Sequence, residues 1–251
     1  MKGKVAIVTG AASGIGAATV ERLAADGATV LAFDLAPCPA RERVWPIAGD
    51  VTRQADVDRL IAEAQKLGAL HVVVNAAGVV AADDPEHVED ATWERMLAIN
   101  LSGTMRLCRA AIPLLKAAGG GAIVNVASVA AFNASPGSAS YAPSKAGVVA
   151  YTRNLGFSLG ADHIRANCLC PGWTHTAMAE AELREAAAKA GTSFEHELHA
   201  LASGLALRRL ATPAEMAACI RFLAGDDASF VTGAVLVADG GGRMPAVARG
   251  V

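Results

Sequence analysis

An apolar run that breaks into a glycine-rich loop and then opens a helix does most to limit what this chain can fold into. The run covers positions 4–9, and the loop reads Thr9-Gly10-Ala11-Ala12-Ser13-Gly14-Ile15-Gly16. Glycines there let a backbone come close to a pyrophosphate, and the start of a helix adds amide donors and the positive end of its dipole. The spacing is G-x-x-x-G-x-G, and the strand–turn–helix setting turns a common loop into a dinucleotide signal. The rest of the chain keeps the same rhythm. Strand-like runs at 28–33, near 50, and at 71–75, 122–127, 165–169 and 234–238 alternate with helical patterns at 14–26, 55–66, 92–118, 141–159 and 213–224. Strands apolar nearly throughout, separated by helices, predict a parallel sheet covered on both faces. The expected fold is α/β: one doubly wound, Rossmann-type domain over residues 1–251, with a seven-stranded parallel sheet. Residues 174–210 break the rhythm with an Ala- and Glu-rich helical stretch, expected to form an insertion over the substrate.

Asp34 closes the second strand eighteen positions after Gly16. A carboxylate there can accept both ribose hydroxyls and repel a 2′-phosphate. Residues 11–15 hold no Arg or Lys and Leu35 follows Asp34, so the cofactor is expected to be NAD rather than NADP.

Farther along stand Ser128 and the segment Tyr141-Ala142-Pro143-Ser144-Lys145. Tyr and Lys four apart share one helix face. The ammonium can stabilise the phenolate and lower a tyrosine pKa that starts near about 10. Pro143 suits a first helical turn, where it removes no needed donor. A hydroxyl from Ser128 could hold a carbonyl or alcohol oxygen beside the phenol, an arrangement that moves a proton while a hydride moves elsewhere.

With these residues in hand, the chain resembles the short-chain dehydrogenase/reductase family in its compact form, essentially end to end. Gly10, Gly14 and Gly16 match its dinucleotide motif, flanked by Ser13 and Ile15. Asp50-Val51 matches the pair that contacts adenine. Asn75-Ala76-Ala77-Gly78 matches the motif after the fourth strand, with Ala76 in place of a second Asn, and His71 stands where the family often has Asp. Asn100 matches the Asn of a catalytic tetrad with Ser128, Tyr141 and Lys145. Pro171-Gly172 and Thr176 match the turn that meets the nicotinamide side, Thr174 stands where Ile or Val is usual and would contact the carboxamide through its backbone, and Asp239-Gly240-Gly241 matches the end of the last strand. The resemblance implies an NAD-dependent oxidoreductase that interconverts a secondary alcohol and a ketone. Tyr141 would be the general acid or base. Lys145 would tune it and bind the nicotinamide ribose, Ser128 would position the substrate, and Asn100 would hold a water joining Lys145 to solvent. A homotetramer or homodimer, paired through helices 92–118 and 141–159, is also implied.

The substrate is less legible. Val80, Ala130, Phe132, Asn133, Trp173 and Met178 are pocket candidates, mostly apolar. Apart from Lys145 itself, no Arg or Lys falls in the short stretches flanking Ser128, Tyr141 or Pro171, which points to an uncharged, partly apolar or aromatic alcohol or ketone. Glu180, Glu182, Glu185, Glu195 and Glu197 read as the solvated face of the inserted helix, and His175 as a loop residue facing solvent. Alternatives are a sugar or polyol dehydrogenase, for which Asn133, Ser135 and His175 could bind hydroxyls, and a 3-oxoacyl-carrier-protein reductase. The second would want NADP and docking arginines. A non-catalytic dinucleotide sensor is the rival of another class, although such proteins usually lose the Tyr or Lys.

Composition closes off other classes. A net charge of −2 gives no basic footprint for nucleic acid, and no apolar run is long enough for a membrane span. Lys2 and Lys4 before an apolar stretch imitate a signal peptide, but Gly10 and Gly14 interrupt it. Five cysteines, an odd number, argue against a secreted disulfide scaffold and for the cytoplasm. Cys168 and Cys170 would share one strand face and read as buried structural thiols; no metal site is expected.

Overall fold

The structure, a computed structural model, describes residues 1–132 and 137–242. Seven parallel strands form one sheet: β1 (Val5–Thr9), β2 (Thr29–Asp34), β3 (Val44–Ala48), β4 (Val72–Asn75), β5 (Gly121–Val126), β6 (Ile164–Pro171) and β7 (Val235–Ala238). Their spatial order is β3-β2-β1-β4-β5-β6-β7. The direction of winding therefore reverses between β1 and β4, and the crevice beyond the strand ends at such a reversal is where α/β sheets take ligands.

The helices are α1 (Gly14–Ala25), α2 (Gln54–Lys66), α3 (Asp90–Met96), α4 (Thr104–Ala117), α5 (Tyr141–Ser158), α6 (Ala177–Ala190), α7 (Phe194–Ser203) and α8 (Pro213–Ala224). Alternation along β1 shows why its sequence is apolar throughout. Val5 and Ile7 join Leu60, Leu107 and Leu155 on one side of the sheet. Ala6 and Val8 join Val20, Leu23, Met216 and Ile220 on the other. Both faces are covered, so neither parity can be polar.

Two departures from the sequence reading affect the site. The helix expected over 92–118 is three pieces, because a π-helical turn at Leu97–Gly103 joins α3 to α4. The extra residue in that turn re-aims the side chains around Asn100, a common use of π-bulges. Strand β6 also runs past the expected 165–169 to Pro171, which carries the Pro171-Gly172 turn to the sheet's ligand edge. The third strand ends at Ala48, with Pro46 tolerated because β3 lies at the sheet edge. The stretch between β6 and α8 folds into α6 and α7, with Arg184 of one over the Phe194 ring of the other at 4.7 Å. No described helix is long and apolar enough to cross a membrane.

Candidate active site

Site residues collect where the strands end. Gly10 follows β1 with φ +66°, and a Cβ there would stand 2.7 Å from the Ala77 backbone nitrogen. A Cβ on Gly16 would fall 1.9 Å from the Gly10 carbonyl oxygen, so the two glycines let helix α1 seat directly on its own loop. Ser13 is the N-cap of α1, but its side chain makes no capping bond. The first-turn amides thus keep their donor capacity, and an anion is what such a turn attracts. Thr9 fixes the neighbouring turn, its Oγ1 accepting from the amides of Ala76 and Ala77 at 3.2 and 3.1 Å. Asp34 ends β2 beside this loop and accepts from the amides of Ala12 (3.0 Å) and Ala36 (2.9 Å).

The catalytic candidates converge across the crevice. Tyr141 is the first residue of α5 and Lys145 lies one turn later, with Nζ 5.7 Å from the phenol ring centroid. Lys145 is 5% exposed and donates to the Val126 carbonyl at the end of β5, 3.1 Å away. A Cβ on Gly78 would lie 3.2 Å from both Lys145 Nζ and Asn100 Oδ1. Those three residues therefore share one small space that a side chain would fill. Ser128 caps a short 3-10 turn at Val129–Ala131, its Oγ accepting from the Ala130 amide at 3.1 Å.

Asn100 works mainly as a clamp. Its Oδ1 accepts from the Val79 amide at 2.9 Å, and its Nδ2 donates to the Val79 carbonyl and the Ser144 hydroxyl, each at 3.0 Å. Its main-chain carbonyl accepts from Thr104 Oγ1 at 2.9 Å. The segment after β4 is thereby tied to the helix that carries Tyr141 and Lys145. Asn75 turns inward, donating to Asn125 Oδ1 at 2.8 Å, so only its backbone faces the crevice turn.

Ionisation differs from the sequence expectation. Burial raises the Tyr141 phenol above its ordinary value, a hydrogen bond from Ser128 pulls it back, and the charges of Glu182 and Cys170 push it further up. Burial also drops Lys145 from 10.5 to about 8, against the opposing influence of the Cys168 and Cys170 thiols. In the chain by itself desolvation outweighs the help that an ammonium gives a phenolate.

The remaining candidates vary. Asp50 accepts from the Thr52 amide at 2.8 Å as α2 begins, and Val51 is buried against Gly103. Ile15 is half-buried. Thr174 is buried and Pro171 and Gly172 close β6. Thr176 caps α6 and touches the loop, since a Cβ on Gly14 would meet its methyl at 3.2 Å. Val80, Ala130 and Trp173 are half-buried, while Phe132 and Met178 are 46% and 39% exposed. Asn133, Ser135 and the tail 243–251 lie outside the described residues. Glu182 corrects the reading of a solvated glutamate face. It is half-buried, burial raises its carboxyl, and its charge reaches Tyr141; Glu197 is half-buried as well, whereas Glu180, Glu185 and Glu195 are exposed. It sits one turn after Met178, a pocket candidate, but nothing in the sequence separated it from its four neighbours. Among the described residues, no group of three or more His, Cys, Asp or Glu is gathered as metal ligands.

A glycine-lined turn with unspent helix amides, a carboxylate at the end of β2 and a half-buried Tyr141 beside the buried Lys145 are the parts that a dinucleotide-dependent oxidoreductase needs, on the fold that such enzymes use. The chain belongs to the short-chain dehydrogenase/reductase family: a family model described as "Enoyl-(Acyl carrier protein) reductase" matches residues 10–242. It is 34% identical to the 3-oxoacyl-[acyl-carrier-protein] reductase of Thermotoga maritima over 96% of this chain and 98% of that protein. It is 38% identical to the cis-4-hydroxycyclohexanecarboxylate dehydrogenase of Sinomonas cyclohexanicum, over 95% and 96%. Among solved structures, the ligand-free aldohexose dehydrogenase of Thermoplasma acidophilum matches with a TM-score of 0.89 and 29% identity, covering 96% of this chain and 94% of that one. Proteins of this family bind a nicotinamide dinucleotide, and its homologues here are dehydrogenases and reductases of small molecules.

Proposed function

We propose that this chain is a cytoplasmic, NAD-dependent dehydrogenase that interconverts a secondary alcohol and its ketone, with Tyr141 as general acid and base. The observation that carries this reading is the space after β4 shared by Gly78, Lys145 and Asn100, with the Lys145 ammonium 5.7 Å from the Tyr141 ring. NAD⁺, when bound, supplies the hydride acceptor and a positive charge near the phenol. The first-turn amides of Gly14, Ile15 and Gly16 hold the pyrophosphate, and Asp34 takes the adenosine ribose hydroxyls and repels a 2′-phosphate. Asp50 and Val51 flank the adenine, and the 75–78 turn and the 171–176 segment frame the nicotinamide half. Ser128 holds the substrate oxygen against Tyr141 Oη. In oxidation the phenolate takes the hydroxyl proton; in reduction the phenol donates one to the developing alkoxide. Lys145 holds the ribose and stabilises the phenolate, and its proton exchanges with solvent past Asn100. Helices α6 and α7 form the lid of a single domain, and α4 and α5 pair with other copies in a homotetramer.

The pocket favours an uncharged substrate. Val80, Ala130, Phe132, Trp173 and Met178 offer apolar surface, and the half-buried Glu182, whose negative charge is felt at Tyr141, disfavours anions. The same carboxylate favours a second reading, a sugar or polyol substrate whose further hydroxyl donates to Glu182. Incubating the protein with NAD⁺ and a panel of monoalcohols, diols and hydroxy acids, and following NADH absorbance, tests the proposal. Turnover of neutral alcohols with NAD⁺ supports it. Turnover with NADP alone, or of hydroxy acids alone, refutes the cofactor or the substrate assignment respectively.

A further inference from the structure

Two adjacent aspartates follow the 75–78 turn, and the fold gives them different roles. Asp84 is exposed, and its Oδ1 accepts from the amides of Glu86 and His87 at 2.9 and 3.0 Å, an ordinary surface turn. Asp83 is half-buried and bonds instead to the chain that leads into the catalytic helix. Its amide donates to the Gly137 carbonyl at 3.2 Å and its carbonyl accepts from the Ala139 amide at 3.3 Å. The two stretches pair there as a single parallel bridge between Asp83 and Ser138. The Asp83 Oδ1 then accepts from the Ser140 amide at 3.1 Å.

The segment Gly137–Ser140 decides where Tyr141 stands. Tyr141 is the first residue of α5, and Ser140 before it is fully buried but makes no side-chain cap. Amides at the start of a helix find no partner within it, and helix ends fray. For the Ser140 amide the partner is Asp83. The same loop holds the next turn as well: Asn100 accepts from the Val79 amide, four residues before Asp83, and donates to the Ser144 hydroxyl. Ser140 and Ser144 are four apart and lie on one face of the first turn, just as Tyr141 and Lys145 share another. Asn100 fixes the Ser144 end and Asp83 the Ser140 end. The Asp83 Oδ2 and the Ser140 Oγ are buried with no hydrogen-bond partner among the described residues. The carboxylate therefore acts through one oxygen. An Asn side chain offers the same acceptor, and its NH2 group would stand where there is no bond to lose.

We propose that Asp83 is a positioning residue for the alcohol–ketone reaction assigned above, on which its role rests: it fixes the entry to α5 and so keeps the Tyr141 hydroxyl against the substrate oxygen. Its contribution is geometric, carried by the bond to the Ser140 amide, and not electrostatic. A displacement of about 1 Å at a reacting group costs up to about a hundredfold in rate.

Four variants of the full chain test this. Asp83→Ala removes the acceptor, Asp83→Glu keeps the charge but moves it by one methylene, Asp83→Asn keeps the acceptor without the charge, and Asp84→Ala is the control. Titration with NADH, followed by fluorescence, counts folded dinucleotide sites and gives their affinity; kcat for the best neutral alcohol is then expressed per site. Asp83→Ala and Asp83→Glu should lower kcat per site by roughly tenfold to a hundredfold with NADH affinity unchanged. Asp83→Asn should restore it, and Asp84→Ala should leave it at the parent value. A merely structural role would give fewer sites with kcat per site unchanged, and that result would overturn the proposal, as would an Asp83→Asn variant as slow as Asp83→Ala. Should Asp83→Ala not fold, Asp83→Glu takes its place. Hydrogen exchange of amides 138–144 reads the same link without turnover: it should quicken in Asp83→Ala and return to the parent rate in Asp83→Asn. A parent protein that oxidises no alcohol refutes the functional reading instead, and the exchange rates then decide whether Asp83 holds the segment, unchanged exchange in Asp83→Ala being the result against it.

Discussion

Replacing Asn100 by Ala should destabilise the protein by roughly 2–3 kcal/mol, about 1 kcal/mol for each hydrogen bond lost. Three bonds disappear: the Val79 amide loses its acceptor, and the Val79 carbonyl and Ser144 hydroxyl lose a donor. Val79 is only half-buried, so water can reach part of what is vacated and the larger penalty of fully buried, unmatched groups does not apply. Ser144 keeps its bond to the Tyr141 carbonyl at 2.7 Å. For a protein of this size the loss corresponds to a drop in Tm of roughly 4–12 °C. Ser144→Ala removes one bond to Asn100 and its own to Tyr141, so it should lie between the parent and Asn100→Ala. Differential scanning fluorimetry measures both, with urea unfolding as the check on free energy. Should Asn100→Ala melt within 1 °C of the parent, the clamp between the 75–79 turn and α5 would not be what holds the site together.

Three further outcomes follow from the same geometry. Asp34→Ala should improve kcat/KM with NADP by about tenfold to a hundredfold and weaken NAD, because like-charge repulsion is removed and two ribose acceptors are lost; initial rates with both cofactors measure it. Lys145→Met should abolish turnover yet raise stability at pH 7 by up to about 3 kcal/mol, less about 1 for the bond to Val126. The drop of Lys145 from 10.5 to about 8 is a cost of keeping a buried ammonium. The unfolded chain holds that proton between pH 8 and 10.5 while the folded chain does not, so parent stability should rise with pH across that window and the advantage of the Met variant should fade. Chemical denaturation at pH 7 and pH 10 checks the sign. Glu182→Gln should lower the pKa of Tyr141, whose phenolate the Glu182 charge opposes, and so move the rise of alcohol oxidation with pH toward lower pH; a profile of kcat against pH reads it directly.

The fold was legible because burial on both sheet faces leaves no alternative to apolar strands, and because a glycine loop between strand and helix has few other uses. Spacing alone also placed Tyr141 and Lys145 on one face, and Cys168 with Cys170. What escaped depended on tertiary placement. The π turn inserts a residue into a helical pattern without changing its composition, so the run 92–118 read as unbroken. Asn75 and Asn100 match binding motifs, yet their side chains are spent on Asn125 and Val79, partners fifty and twenty-one positions away. Glu182 is chemically identical to its neighbours, and only its partial burial in the folded chain, where its charge is felt at Tyr141, sets it apart. The Tyr141 pKa was read from its charged neighbour, whereas in the folded chain desolvation dominates.

The most direct test compares Tyr141→Phe with the parent protein on the best neutral alcohol found in the panel, with dinucleotide affinity measured separately by fluorescence. A drop in kcat of about 10²–10⁴ with unchanged dinucleotide binding is the expected result, since a positioned general base contributes on that scale. Turnover near the parent rate with intact binding would contradict the assignment of Tyr141 as the group that moves the proton.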